Sequence, residues 1–317
     1  MLVSGFLIIA GFVALIFGAN WLVDGASSLA KKHHISDLAI GLTLVAFGTS
    51  APELVVNAIA SYQGYSDIVL GNIIGSNNFN LFIILGVAGL IFPISVQSST
   101  VWREIPISFF AAVVLLLIGN AVFNSDYPKI SRFDGLLLIT LFALFLFYVY
   151  KQMKTEETAA IALAEKSNIK IWALIFGGLV GLLIGGQLVV SNSIELATSL
   201  GISEKIIGLT IVAAGTSLPE LITSIVAAMK KNSDIAIGNV VGSNVFNILL
   251  ILSVSAFIKP INYNANFNLD IAILLGGTLF LFIAMFTGKR KKLDRWEAGL
   301  LLGFYFFYTI YLVYKEL

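Results

Sequence analysis

Glu53 closes the hexad GTSAPE at residues 48–53 and is the only charged residue between Asp37 and Asp67. The run around it is apolar and long enough to cross a bilayer. A carboxylate near the middle of such a run costs at least ~2.5 to 3.5 kcal/mol on insertion scales, so its presence needs a reason. Pro52 has no backbone N–H and cannot close a helical bond onto the carbonyl at Gly48. Gly48 itself bends easily. The stretch therefore offers freed carbonyls, the hydroxyls of Thr49 and Ser50, and the Glu53 carboxylate. All are oxygens near the expected bilayer midplane, which is what a hard cation requires when it sheds water. The hexad recurs as GTSLPE at residues 215–220, ending on Glu220.

A second block also occurs twice, as GNIIGSNNFN at 71–80 and GNVVGSNVFN at 238–247. Asn72, Ser76 and Asn80 stand four residues apart and share one stripe of a helix. Alone, the block reads as polar glue between helices that approach through small residues. Its recurrence beside a second carboxylate hexad favours lining of a cavity. Asn57, four residues after Glu53, and its counterpart Ser224 leave two readings open, cavity lining and packing hydrogen bonds. For Glu53 and Glu220 the bland alternative is a protonated carboxyl in a core, but two such costs at matching positions need a shared cause. Asp24 and Glu195 lie near span ends, where a charge can snorkel, and are not expected to be ligands. His33 and His34, beside Lys31 and Lys32, read as a solvated loop.

The elements that carry these residues follow from composition. The chain has 317 residues, 58% hydrophobic and 12% charged, against about 25% charged in a soluble domain. A polytopic membrane protein is expected. With no cysteine, disulfides and thiolate metal sites are excluded, and a net charge of +1 gives no reason to propose nucleic acid as a partner. The N-terminal apolar stretch lacks a basic n-region, so it is expected to be a retained span and not a signal peptide. Ten spans are expected, near residues 3–30, 36–62, 67–94, 104–123, 132–152, 170–200, 203–229, 234–258, 268–288 and 296–314. Alternate loops then place 14 of the Lys and Arg residues on one side and 5 on the other. The richer side should be cytoplasmic, which leaves both termini external. The polar stretch at 153–169 is the one sizeable linker and divides a first half, 1–152, from a second, 170–317.

The halves match at an offset of 167: residues 35–54 align with 202–221, and 71–80 with 238–247. An odd number of spans per repeat forces the repeats to enter the membrane from opposite sides. Inverted repeats with interrupted helices at the midplane are a transporter signature. Gly11, Gly18 and Gly25 in the first span, with Gly178 and Gly185 in the sixth, read as tight helix packing or as a smooth face on which a helix pair slides.

The paired hexads and paired GNxxGSN blocks resemble the alpha repeats of the cation/calcium exchanger superfamily, most closely the prokaryotic sodium/calcium exchangers. The resemblance covers essentially the whole chain. It implies an all-α polytopic protein of ten helices in two inverted five-helix repeats, with four ion sites at the midplane. Calcium would bind Glu53 and Glu220 with the carbonyls of Thr49 and Thr216. Sodium would use the same glutamates with Ser50, Ser217, Ser76 and Ser243 and the carbonyls of Ala46 and Ala213, while the central position would add Asn80 and Asn247. It further implies that the first and sixth helices slide against the other eight. Some relatives carry Asp where this chain has Asn247, so the pocket holds two formal charges and a potassium-coupled reading is weakened.

Three classes compete: a secondary antiporter exchanging sodium or protons for calcium, a cation channel, and an intramembrane hydrolase. Channels usually build filters from symmetric subunits, and two tight-binding carboxylates would slow conduction. The chain has no HExxH motif and no histidine within an expected span. The expectation is an antiporter in the inner (plasma) membrane, not an enzyme. It would need no cofactor, Ca2+ and Na+ would be its substrates, the lipid bilayer its surroundings, and no obligate protein partner is evident.

Overall fold

The structure is a computed structural model that describes residues 2–121, 128–153, 167–200, 213–288 and 291–316. It is helical almost throughout. The helices are α1 (Leu2–His33), α2 (Asp37–Thr49), α3 (Ala51–Gln63), α4 (Ser66–Ile91), α5 (Thr100–Gly119), α6 (Arg132–Met153) and α7 (Asn168–Ser199). After a short turn at Ala213–Gly215 come α8 (Leu218–Met229), α9 (Ser233–Ile258), α10 (Phe267–Ala284) and α11 (Arg295–Glu316). Among the described residues seven helices are long and apolar enough to cross a membrane, and eight if the bent pair α2–α3 counts as one span. Large apolar side chains face outward, with Phe6, Phe133 and Phe307 at least 70% exposed. Such a surface belongs in hydrocarbon, and the chain is a multi-pass integral membrane protein.

The expected break in the 36–62 span is present: α2 and α3 meet at 48° about Ser50. Pro52 sits in the first turn of α3, where a missing N–H costs nothing, and Pro219 does the same for α8. The fourth expected span, 104–123, starts earlier than expected, at Thr100. Arg103 and Glu104 fall inside the helix because Glu104 is buried and accepts a hydrogen bond from the Tyr148 hydroxyl of α6. Most of the 153–169 linker, and residues 203–212 of the seventh expected span, lie outside the described residues.

In hydrocarbon, helices gain little from burying apolar surface and associate instead through close backbone contact. The α1–α7 pair shows it. A Cβ at Gly11 would lie 2.9 Å from the Gly185 carbonyl, and one at Gly18 would lie 2.8 Å from the Gly178 carbonyl. The two helices therefore run antiparallel, backbone against backbone. They form a hydrophobic cluster of their own with Ile40 and Val45 of α2, Val226 and Ala227 of α8, and Ile235 and Ala236 of α9. A larger cluster joins α4, α5, α6, α9, α10 and α11.

Short connections tie the ends. Residues Ile94–Ser95 (β1) pair antiparallel with Lys292–Leu293 (β4), and Lys129–Ile130 (β2) with Ile261–Asn262 (β3). Each pair joins loops from the two halves, which places those loops on a common face. Asp24 forms an ion pair with Lys230 at 2.8 Å on the exposed rim, as expected for a carboxylate at a span end. Asn232 caps α9 and donates to Asp37 Oδ2 at 2.8 Å and to Ser27 Oγ at 2.9 Å.

Candidate functional site

Two interrupted helices bring the hexads face to face at the centre. Each glutamate starts a helix that follows its break, Glu53 on α3 and Glu220 on α8, and each is 1% exposed. The pairing crosses between the halves. Ser50 donates to Glu220 Oε1 at 2.8 Å and lies 3.0 Å from Ser243 Oγ. Ser217 donates to Glu53 Oε1 at 3.2 Å and lies 3.1 Å from Ser76 Oγ. Each carboxylate is thus held by the serine of the opposite hexad, itself backed by the serine of a GSN block. The sequence alone gives no sign of this exchange, because it depends on how the halves dock.

The threonine hydroxyls of the hexads also meet asparagines. Thr49 Oγ1 donates to Asn239 Oδ1 at 3.0 Å, and Asn72 Nδ2 donates to Thr216 Oγ1 at 3.4 Å. Asn72, on the stripe with Ser76 and Asn80, accepts from Asn57 Nδ2 at 2.7 Å. Asn57 Nδ2 also reaches the Glu53 carbonyl at 2.7 Å, and Ser224 accepts from Asn239 Nδ2 at 3.0 Å. Asn57 and Ser224 thus both make packing hydrogen bonds beside the two breaks, while Asn57 Oδ1 stays without a partner among the described residues. The Ala46 carbonyl accepts from Ser50 N at 3.0 Å, and Ala213 opens the short turn that leads into the second hexad.

The polar balance of the site is one-sided. Glu53 Oε2, Glu220 Oε2, Asn80 Oδ1, Asn247 Oδ1 and Asn57 Oδ1 are buried and make no hydrogen bond among the described residues. A buried acceptor without a partner costs about 1–3 kcal/mol, and more when charged. Each of the two carboxylates thus keeps one buried oxygen that a donor or a cation could satisfy. Among the described residues no group of three or more His, Cys, Asp and Glu side chains gathers, so the negative charge of the site comes from two carboxylates set among neutral oxygens. Calcium takes six to eight such oxygens and carries the charge that two carboxylates balance.

The central amides owe their direction to residues that the sequence reading passed over. Asn80 Nδ2 donates to Asn244 Oδ1 and Asn247 Nδ2 to Asn77 Oδ1, both at 3.1 Å. Asn77 and Asn244 follow the serine in each GSN block, and their recurrence at the same offset is the signal by which they could have been found.

The family model for sodium/calcium exchanger protein matches residues 3–151 and 170–314. The chain belongs to the sodium/calcium exchanger family. It is 37% identical over 314 residues to the putative antiporter CaxA of Alkalimonas amylolytica, covering 95% of this chain and 96% of that protein. It is 32% identical over 356 residues to the sodium/calcium exchanger MaX1 of Methanosarcina acetivorans, covering 99% and 100%. The structure of the sodium-calcium exchanger NCX_Mj soaked with zero Na+ and Ca2+ superposes with a TM-score of 0.84 at 31% identity, covering 98% of this chain and 100% of that one. This exchanger shares that all-helical fold over nearly its full length, and its relatives are transporters, not enzymes.

Proposed function

We propose that this exchanger is a secondary active antiporter that drives calcium across the membrane against sodium by alternating access. The observation that carries the proposal is the pair of buried carboxylates, Glu53 and Glu220, each held by the serine of the opposite hexad and each with one oxygen left without a hydrogen bond. In this reading calcium is held by both carboxylates with the carbonyls of Thr49 and Thr216. Sodium uses the carboxylates with Ser50, Ser217, Ser76 and Ser243 and the carbonyls of Ala46 and Ala213. Asn80 and Asn247 complete the central position.

The reading includes ten spans in two inverted five-helix repeats, 1–152 and 170–317, joined by a cytoplasmic linker at 153–169. Two features support it. The β1–β4 pair joins two loops that this topology puts on the cytoplasmic side, and the β2–β3 pair two that it puts on the external side. The crossed bonds from Ser50 to Glu220 and from Ser217 to Glu53 are mates at the repeat offset. The protein would sit in the inner (plasma) membrane with both termini external, on the basis of the distribution of Lys and Arg.

Coupling follows from charge. Two carboxylates leave the calcium-loaded site near neutral. With about three sodium ions the site carries roughly one net positive charge, so each cycle moves one charge worth ~2.3 kcal/mol per 100 mV. Purified protein in vesicles loaded with radiolabelled calcium tests this at clamped pH. An inward sodium gradient should release calcium, faster when the sodium-receiving side is negative. Release that ignores sodium and potential but follows a pH step would establish proton coupling instead.

A further inference from the structure

We infer that Asn77 and Asn244 are positioning residues that fix the polarity of the central site, turning the oxygens and not the amino groups of Asn80 and Asn247 toward the ion. The inference rests on the antiporter reading above and extends it to residues outside the hexads.

Asn77 and Asn244 form a reciprocal pair between α4 and α9, and Asn247 and Asn80 each hang from one member of it. Asn77 Nδ2 donates to the backbone carbonyl of Asn244 at 3.4 Å, and Asn244 Nδ2 donates to the backbone carbonyl of Asn77 at 3.4 Å. A backbone carbonyl has no proton to give, so it accepts only the amino end of the amide facing it. That requirement sets the direction of Asn77 and Asn244. Their side-chain oxygens must then face the neighbouring central amides, and these answer with their amino groups at 3.1 Å. Asn80 Oδ1 and Asn247 Oδ1 are left as the free ends, and both are among the buried oxygens that make no hydrogen bond among the described residues. All four asparagines are at most 2% exposed, so water offers no alternative partner. Two main-chain carbonyls thus set the sign of the central site through a relay of amides. The widened helical turns at Phe79–Ile84 and Phe246–Ile251 begin two residues later, where the regular ladder is interrupted.

An amide turned the other way would present hydrogen-bond donors and repel a cation. Partners behind a first ring of ligands characteristically tune metal affinity by about 10- to 100-fold. Asn77→Leu keeps the size of the side chain but frees Asn247 to rotate. We expect it to raise the calcium KM of exchange, and the calcium dissociation constant of purified protein, by about tenfold or more, with a smaller effect on kcat. In an Asn247→Ala background the same substitution should add nothing, because the amide it orients is gone. Asn244→Leu, tested with and without Asn80→Ala, is the mirror experiment and serves if the first variant fails to fold. An unchanged KM in both mirror variants overturns the inference, as does an equal further loss in the alanine backgrounds, which would mark a general packing defect. A wild-type protein that neither binds nor exchanges calcium would instead overturn the antiporter reading itself.

Discussion

The two hexads carry the same chemistry in unequal surroundings. Around the first, Thr49 and Asn239 are 1% and 0% exposed, and α2 lies directly on α9. A Cβ at Gly242 would stand 2.8 Å from Ala46 Cβ, and one at Gly41 would stand 3.2 Å from Gly238 Cα. Around the second, the equivalent Thr216 and Asn72 are only half-buried, as are Gly71 and Gly75. Among the described residues the inner shell is thus nearly two-fold, with serine, glutamate and asparagine contacts in mirrored pairs, while the threonine and asparagine beside the second hexad are the more exposed; residues 203–212, the repeat mates of 36–45, lie outside the described residues. A carrier needs this combination. The ion should meet the same ligands throughout the cycle, but only one wall should admit water at a time. On the proposed topology the looser wall is the one near Ser66 and Lys259, on the external side.

The largest expected effect probes the shared inner shell. Glu53→Gln and Glu220→Gln should each abolish calcium transport while the protein still folds and purifies as a monodisperse species. A neutral amide supplies oxygen but no charge, and calcium without one of its two carboxylates keeps an uncompensated positive charge in the membrane. If the inner shell is two-fold in function, both losses should be complete. A variant that retains normal calcium uptake in vesicles would show that one hexad is structural and would break the symmetry at its centre.

A smaller effect separates the walls. The chain has no cysteine, so single cysteines report cleanly. In membranes without added calcium or sodium, a membrane-impermeant thiol reagent should label Thr216→Cys severalfold faster than Thr49→Cys, and from the external face. Equal rates, or faster labelling at position 49 from that face, would contradict the unequal walls seen here.

The sequence carried the inner shell further than the outer one. Carboxylates, prolines and hydroxyls inside apolar runs are costly, so their positions stand out, and the repeat offset of 167 marks them twice. The helices also lie close to the apolar runs, because hydrocarbon forces backbone groups to pair within one segment. What stayed hidden depends on docking. Ser50 serves Glu220 and not the Glu53 of its own hexad, a fact of tertiary contact alone. Asn77 and Asn244 recur at the same offset, but they fall off the stripe of Asn72, Ser76 and Asn80, so only the docked helices show what they hold. Glu104 and Glu297, both fully buried and held by Tyr148 and Thr287, sit too near span ends for the sequence to set them apart from snorkelling charges. The small β pairs, two residues each, are shorter than any alternation that could be read.

The smallest expected effect compares the walls by one methyl group. Gly75 and Gly242 occupy the same place in the two GSN blocks, so an alanine at either changes the helix by the same amount. Replacing glycine by alanine inside a helix favours folding by about 1 kcal/mol through propensity alone. At Gly242 the new Cβ meets Ala46 Cβ at 2.8 Å and the Leu42 carbonyl at 2.9 Å. Neither neighbour is the end of a flexible side chain, so α2 and α9 must part, and overpacking of this kind costs about 1–3 kcal/mol. At Gly75 the repeat mates of these neighbours are Ala213 and Leu209, the latter outside the described residues. Gly242→Ala should therefore lower the unfolding temperature in detergent. An unchanged or raised temperature would mean that α2 and α9 have room for the methyl group, and a smaller drop for Gly75→Ala would mark the second wall as the looser one.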